Sequence, residues 1–116
     1  MIEKTIYDYL TSILSTPVYL ERPKEIHGDF VLIERTAGSK TNHLSTATIV
    51  CQSHSSSMLN AVSLNAAVKT AMESARSLTN IFSVKLNSDY NYTNQSSFKG
   101  YRYQAVFLVV YKEEEN

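Results

Sequence analysis

Phe30-Val31-Leu32-Ile33-Glu34-Arg35-Thr36, followed by Ala37-Gly38-Ser39-Lys40-Thr41-Asn42 and then by Leu44 to Ser53, is the stretch that decides the fold. The first segment is rich in β-forming side chains and reads as a strand. The second is polar and of hairpin length, with Gly38 free to take a positive φ. The third, dense in Thr, Ile and Val, reads as the returning strand. A β-hairpin is therefore expected from Phe30 to about Ser53.

On the N-terminal side, Ile2, Ile6, Leu10 and Ile13 recur at helical spacing, with Tyr9 and Leu14 beside them. This predicts an amphipathic helix from about Ile2 to Leu14, ended before Pro17. Val18-Tyr19-Leu20 can form a short extended segment, closed off by Pro23.

On the C-terminal side, Ser55-Ser56-Ser57 is a natural N-cap region. Met58, Val62 and Ala66, then Val68, Met72, Ala75 and Leu78, predict a second helix to about Thr79, rich in alanine and suited to close packing on a sheet. Phe82, Val84 and Leu86 alternate with polar residues, as in a strand with one buried face. Ser88 to Lys99 reads as a loop with room for a short strand. Tyr101 to Tyr111 is the strongest strand, with Tyr101, Tyr103, Ala105, Phe107, Val109 and Tyr111 on one face. Val106, Leu108 and Val110 make the other face apolar too, which suits a central strand or a face covered by a partner. Lys112 to Asn116 reads as a solvated tail. The expected class is α+β: one domain over residues 1–116, an antiparallel sheet with an N-terminal helix and a longer central helix packed on it.

Composition narrows the function classes. The 116 residues carry 11 basic and 11 acidic side chains, for zero net charge. A dedicated nucleic-acid binder carries a basic excess to neutralise phosphates, whereas zero charge leaves little repulsion against self-association. The longest apolar run falls far short of the ~20 residues a membrane helix needs. The amphipathic start lacks the layout of a signal peptide, so a cytoplasmic site of synthesis is expected.

Chemistry-bearing motifs are scarce. His27, His43 and His54 show neither HxH nor HExxH spacing and read as solvent-exposed loop residues. Cys51 is the one cysteine, which rules out an intrachain disulfide and reads as a small buried hydrophobe. No serine sits in a G-x-S-x-G elbow, and three glycines cannot build a phosphate-cradling loop. Glu34 and Arg35 read as a surface or interface ion pair. No catalytic residue, metal site or cofactor is expected. Eight tyrosines stand without a tryptophan. Tyr90, Tyr92, Tyr101 and Tyr103 suit an interface and suit cross-strand pairing within one sheet equally well. Stacking of single-stranded nucleic acid would also use them, but a basic groove is missing.

The turn Ile33-Glu34-Arg35-Thr36-Ala37-Gly38, the strand end Ile49-Val50-Cys51-Gln52, the helix opening Ser57-Met58-Leu59-Asn60-Ala61 and the strand Arg102-Tyr103-Gln104-Ala105-Val106 together resemble the tail terminator (tail completion) proteins of long-tailed bacteriophages. Order and spacing match over nearly the whole chain. Ala37 replaces a glycine common in that turn, and His54 stands where an aromatic is frequent. The resemblance implies an α+β subunit of a ring, expected to be a homohexamer. The ring caps the tail tube, stops its polymerisation and meets the head connector, while DNA passes through its lumen without sequence-specific contact. It implies assembly in the host cytoplasm, a final place in the virion tail or neck, and no membrane partner. On this reading Glu34, Arg35, Thr36, Gly38, Lys40, Tyr90, Tyr92 and Arg102 are the candidate interface residues. The polar tip from Thr36 to His43 and the Ser88–Lys99 loop would touch neighbouring subunits, tube or connector. A neck or head-closure protein, and a small cytoplasmic module that binds a peptide along a sheet edge, are the alternatives.

Overall fold

A computed structural model describes residues 1–25, 28–93 and 100–113. Helix α1 spans Ile2–Ile13, strand β1 Val18–Tyr19, β2 Phe30–Thr41 and β3 Leu44–Ser55. Helix α2 spans Met58–Ser74 and runs into a 3-10 turn, Ala75–Ser77, before β4, Ile81–Asn91, and β5, Tyr101–Tyr111. The strands form one sheet in the order β1-β2-β3-β5-β4. The four long strands are antiparallel to their neighbours, and the two-residue β1 lies parallel to β2. The class is α+β, with both helices over one face of the sheet and no helix over the other among the described residues.

The hairpin is longer and tighter than its sequence suggests. β2 continues through the polar residues to Thr41, and only Asn42 and His43 turn, at φ 53° and 69°. Two successive left-handed residues match the twist of flanking strands, which is why two-residue hairpin turns use them. Asn tolerates this region through its short polar side chain; His43 is bulkier and fits it less well. Gly38 lies inside β2 outside the left-handed region, so the expected positive φ there is absent. Its lack of a side chain serves Arg35 instead: a Cβ on Gly38 would stand 2.9 Å from a guanidinium nitrogen of Arg35.

The core lies between the helices and the sheet. Ile2, Ile6 and Leu10 of α1 meet Val31 and Ile33 of β2, Ala47, Ile49 and Cys51 of β3, and Ala105, Phe107 and Val109 of β5. Helix α2 buries Ala61, Leu64, Val68, Ala71 and Met72, while Met58 and Val62 are exposed. The stripe expected through Met58, Val62 and Ala66 is thus displaced by about one position. Both sets satisfy helical spacing, and contact with β3 and β5 selects the one that is buried. Ser57 caps α2 as expected, its hydroxyl accepting from Asn60 N at 3.3 Å. Tyr9 donates its hydroxyl to the Ala71 carbonyl at 2.7 Å and ties α1 to α2.

β4 departs most from expectation. It extends to Asn91, so Ser88 to Asn91 belong to a strand rather than a loop. Its pairing with β5 slips at Phe82 and again at Asn87. The first slip throws Phe82 out of the alternation and leaves it 59% exposed. Beyond Thr93 the expected loop lies outside the described residues, as do His27 and the last three residues of the tail.

Candidate assembly surface

The expected interface residues fall into two groups, one on β2 and one where β4 ends and β5 begins. Glu34, Arg35, Thr36, Gly38 and Lys40 lie on the distal part of β2, all exposed. Tyr90, Tyr92 and Arg102 sit where β4 ends and β5 begins. Lys40 pairs with Ser45 and Ser45 with Tyr111, whereas Arg102 lies nine residues back along β5. At about 3.3 Å per residue Lys40 lies roughly 30 Å from the Arg102 row along the strands, and Glu34, in line with Val50 and Val106, about 13 Å. They do not form one site.

In the first group, Glu34 and Arg35 point to opposite faces, as adjacent strand residues must. The expected Glu34–Arg35 pair is therefore replaced by one between Arg35 Nε and Glu3 Oε2 of α1, at 3.4 Å. Partly exposed, that bond is worth little by itself. Glu34 projects from the open face beside Val50. Thr36 occupies a slip in the β2–β3 register, which shifts the residues beyond it relative to the first half of the strand.

The second group is tied together. Tyr90 and Tyr92 meet edge to face at 5.8 Å between ring centroids, and the Arg102 guanidinium lies 4.2 Å from the Tyr92 ring centroid. Arg102 Nε also donates to the Tyr92 carbonyl at 3.2 Å, and Gln104 Nε2 donates to the Tyr90 hydroxyl at 2.6 Å. These contacts hold the two tyrosines, neighbours on one side of the β4 segment, against Gln104 and Arg102 of β5, yet both rings keep exposed surface.

The same row continues across the open face to a residue that sequence reasoning misplaced. His54 is the penultimate residue of β3, buried, and stacked flat on Phe30 at 4.4 Å and 7°. Tyr19 meets Phe30 edge-on at 5.9 Å. His54 fills the place of a flat aromatic, which its polar chemistry concealed in the sequence. Its Nε2 stands 3.1 Å from Gln52 Oε1, an arrangement that fits the neutral ring with a proton on Nε2. Burial, with the positive charges of Arg102 and Arg22, lowers its pKa to about 4.

A further cluster had no sequence signal, because its members are 24 and 20 residues apart. Asp89 of β4 accepts from Asn65 Nδ2 at 2.7 Å and from the Lys69 ammonium, clamping β4 to α2. Burial works to raise the Asp89 carboxyl, but the hydrogen bonds from Lys69 and Asn65 and the Lys69 charge outweigh it and lower its pKa. Beside the clamp, a groove of about 530 Å³ lies between α2 and β4, lined in part by Lys69, Glu73, Arg76, Val84 and Leu86. Cys51 is wholly buried, and burial pushes its thiol up to about 12. Among the described residues no group of three or more His, Cys, Asp or Glu side chains could hold a metal ion, and no helix is long and apolar enough to cross a membrane.

Neither the protein-family models nor the curated proteins contain a match to this chain.

Proposed function

We propose that this chain is a structural subunit of a phage tail, which assembles as a ring on the finished tail tube, ends its polymerisation and presents a surface to the head connector. The observation that carries the reading is the linear order of elements and motifs: short helix, Pro-bounded segment, hairpin with Glu34-Arg35-Thr36 before its bend, Gln52 near the strand end, Ser-capped alanine-rich helix, and a last strand with Tyr103-Gln104. Its support from geometry is a subunit whose exposed candidate residues sit on two separate flanks, as head-to-tail ring contacts require. Arg35 and Lys40 on one flank, and Tyr90 and Tyr92 at the other, are the side chains assigned to neighbouring copies, tube or connector. The passage of DNA through the lumen involves no base reading.

Electron microscopy of tails made with and without the protein tests this directly. Overlong or polydisperse tails without it are expected; tails of normal length would overturn the reading. Charge reversal at Arg35 and Lys40 is expected to impair assembly while the variant subunit stays folded. A second reading draws on the exposed β4 edge, along which an extended peptide could add as a strand. It predicts capture of a peptide by the isolated monomer and no effect on tails.

A further inference from the structure

Two broad surfaces carry no cover among the described residues, and they lie on opposite sides of the subunit. One is the outer side of α2. Every exposed residue of that helix from Met58 to Thr70 is uncharged, Lys69 being turned to Asp89 of β4. Leu59, Val62 and Ala66 set an apolar line along it at helical spacing, with Leu59 74% exposed. α1 is built differently: Lys4 and Asp8 pair on its exposed side, as on a solvated helix. Loss of charge over a surface marks one that ends up covered. The other surface is the open face of the sheet. Its middle rows hold Val50 with Val106, Thr48 with Leu108, and Thr46 with Val110. Charge enters these rows only at their ends, Glu34 on the β2 side and Lys85 on the β4 side. Apolar side chains on both faces of a strand suit a sheet packed on both faces.

The charges at the margins match when one surface is laid on the other. α2 starts beside the Ser55–Tyr101 end of the sheet and finishes before Ile81, the partner of Tyr111, so it runs in the direction of β5. Asn65 marks its level, because it bonds to Asp89, the partner of Ala105. Glu73 stands about 12 Å further along the helix at 1.5 Å per residue. On the sheet, at about 3.3 Å per residue, that distance reaches the level of Leu108 and Val109. Glu73 continues the Leu59–Ala66 line, seven residues beyond Ala66, and lies on the β4 flank of α2, where it lines the groove with Val84, Lys85 and Leu86. Among the described residues neither Glu73 nor Lys85 has an ion-pair partner.

We infer that the outer side of α2 in one copy packs on the open sheet face of the next, with the strands of both copies running the same way. Ala66 then lies over Val106, Thr70 over Thr48 and Leu108, and Glu73 comes level with Lys85 of the second copy, which pairs with Leu108. Turning the second copy end for end exchanges its β2 and β4 edges and brings the Glu34 edge over Glu73, like charge toward like. Two-fold rivals cover less. Open face against open face leaves α2 bare, and α2 against α2 leaves the sheet bare. One head-to-tail contact covers both surfaces, and such a contact propagates into a closed ring or a filament. It also completes the layering, since each sheet then carries helices on both faces.

This contact deepens the ring-forming reading and rests on it for the expectation that copies stand side by side. The test uses the full chain. Thr70→Cys and Thr48→Cys variants are prepared separately, mixed at high concentration and treated with a short bismaleimide. A covalent dimer containing one of each is expected; Cys51 is buried and stays silent. The two positions lie on opposite sides of one subunit, so the product reports contact between copies. Dimers of Thr48→Cys alone would show open faces meeting each other, and dimers of Thr70→Cys alone would show α2 paired with itself. Either result, or no covalent dimer, would overturn the inference. Glu73→Lys and Lys85→Glu are each expected to weaken self-association by roughly three- to tenfold in sedimentation, and the two in one chain to restore it. Failure of the pair to restore association would also overturn it. Glu73 and Lys85 are exposed, and circular dichroism checks that the variants fold. Tails of normal length without the protein would remove the tail role, while the cross-link would still decide whether helix and sheet meet.

Discussion

His54 is held neutral by its surroundings, and that has a consequence for stability. Its pKa falls from 6.5 in a free histidine to about 4 in the fold. The unfolded chain therefore takes up the proton first. Stability is intact above pH 6.5, falls as pH drops below it, and stops falling once the folded ring is protonated near 4. At 1.36 kcal/mol per unit the loss has an upper limit of about 3 kcal/mol. Urea denaturation between these pH values is expected to show this slope, and His54→Phe is expected to remove most of it while keeping the stack on Phe30. Asp89 contributes in a separate, lower window: its pKa is depressed, so its share is lost only as pH falls through and below the ordinary carboxylate range. His43 offers the reverse opportunity. At φ 69° it holds a left-handed backbone that glycine adopts freely, so His43→Gly is expected to raise stability by roughly 0.5–1 kcal/mol, read as a higher melting temperature. Cys51 should react with a thiol reagent only as fast as the protein opens, since its thiol is buried and protonated.

Among the elements, α2 and β4 depend on each other most visibly. Asn65 is buried, and its Oδ1 has no hydrogen-bond partner among the described residues, so the bond from its Nδ2 to Asp89 holds the amide in place. Asp89→Ala would strand that amide and free Lys69. A loss of about 1–3 kcal/mol is expected, with amide exchange quickening in β4 before β5. Equal exchange rates in the two strands would show that the clamp does not hold the edge. The β2–β3 hairpin presents a different case. Gly38 is needed for the Arg35 side chain to lie over the strand, so Gly38→Ala displaces Arg35 and loosens its pair with Glu3. A small effect on monomer stability is expected, with a larger one on any contact that uses Arg35.

At the scale of the whole molecule, one face of the sheet is buried under two helices and the other is open. β5 lies between β3 and β4 with apolar residues on both faces, and the side chains of Val106, Leu108 and Val110 face outward without a helix above them among the described residues. Neighbouring side chains shelter Val106, and the other two stay half-covered. Tail-length measurement decides at this scale whether the proposed tail role holds.

Much of the architecture was legible before the fold was seen. The β-rich runs on either side of a polar bend, the proline after α1, the serines before α2 and the alternation of β5 each state a local backbone preference. Those preferences agree with the elements that form. What local pattern could not decide depends on neighbours distant in the chain. The buried stripe of α2 was chosen between two helical phases by contact with the sheet. The β4 register slips arise from its fit to β5, so Phe82 was exposed against its alternation. His54 was buried because Phe30 and the sheet offered a flat partner, and the Asp89 clamp exists only because folding brings α2 beside β4. The Phe30–Ser53 sequence thus determined that a hairpin forms and which residue types it displays. Tertiary structure decided that its turn is Asn42-His43, that Arg35 answers Glu3 rather than Glu34, and that β1 covers its outer edge at Val31 and Leu32, because pairing and desolvation are settled between strands and not along one.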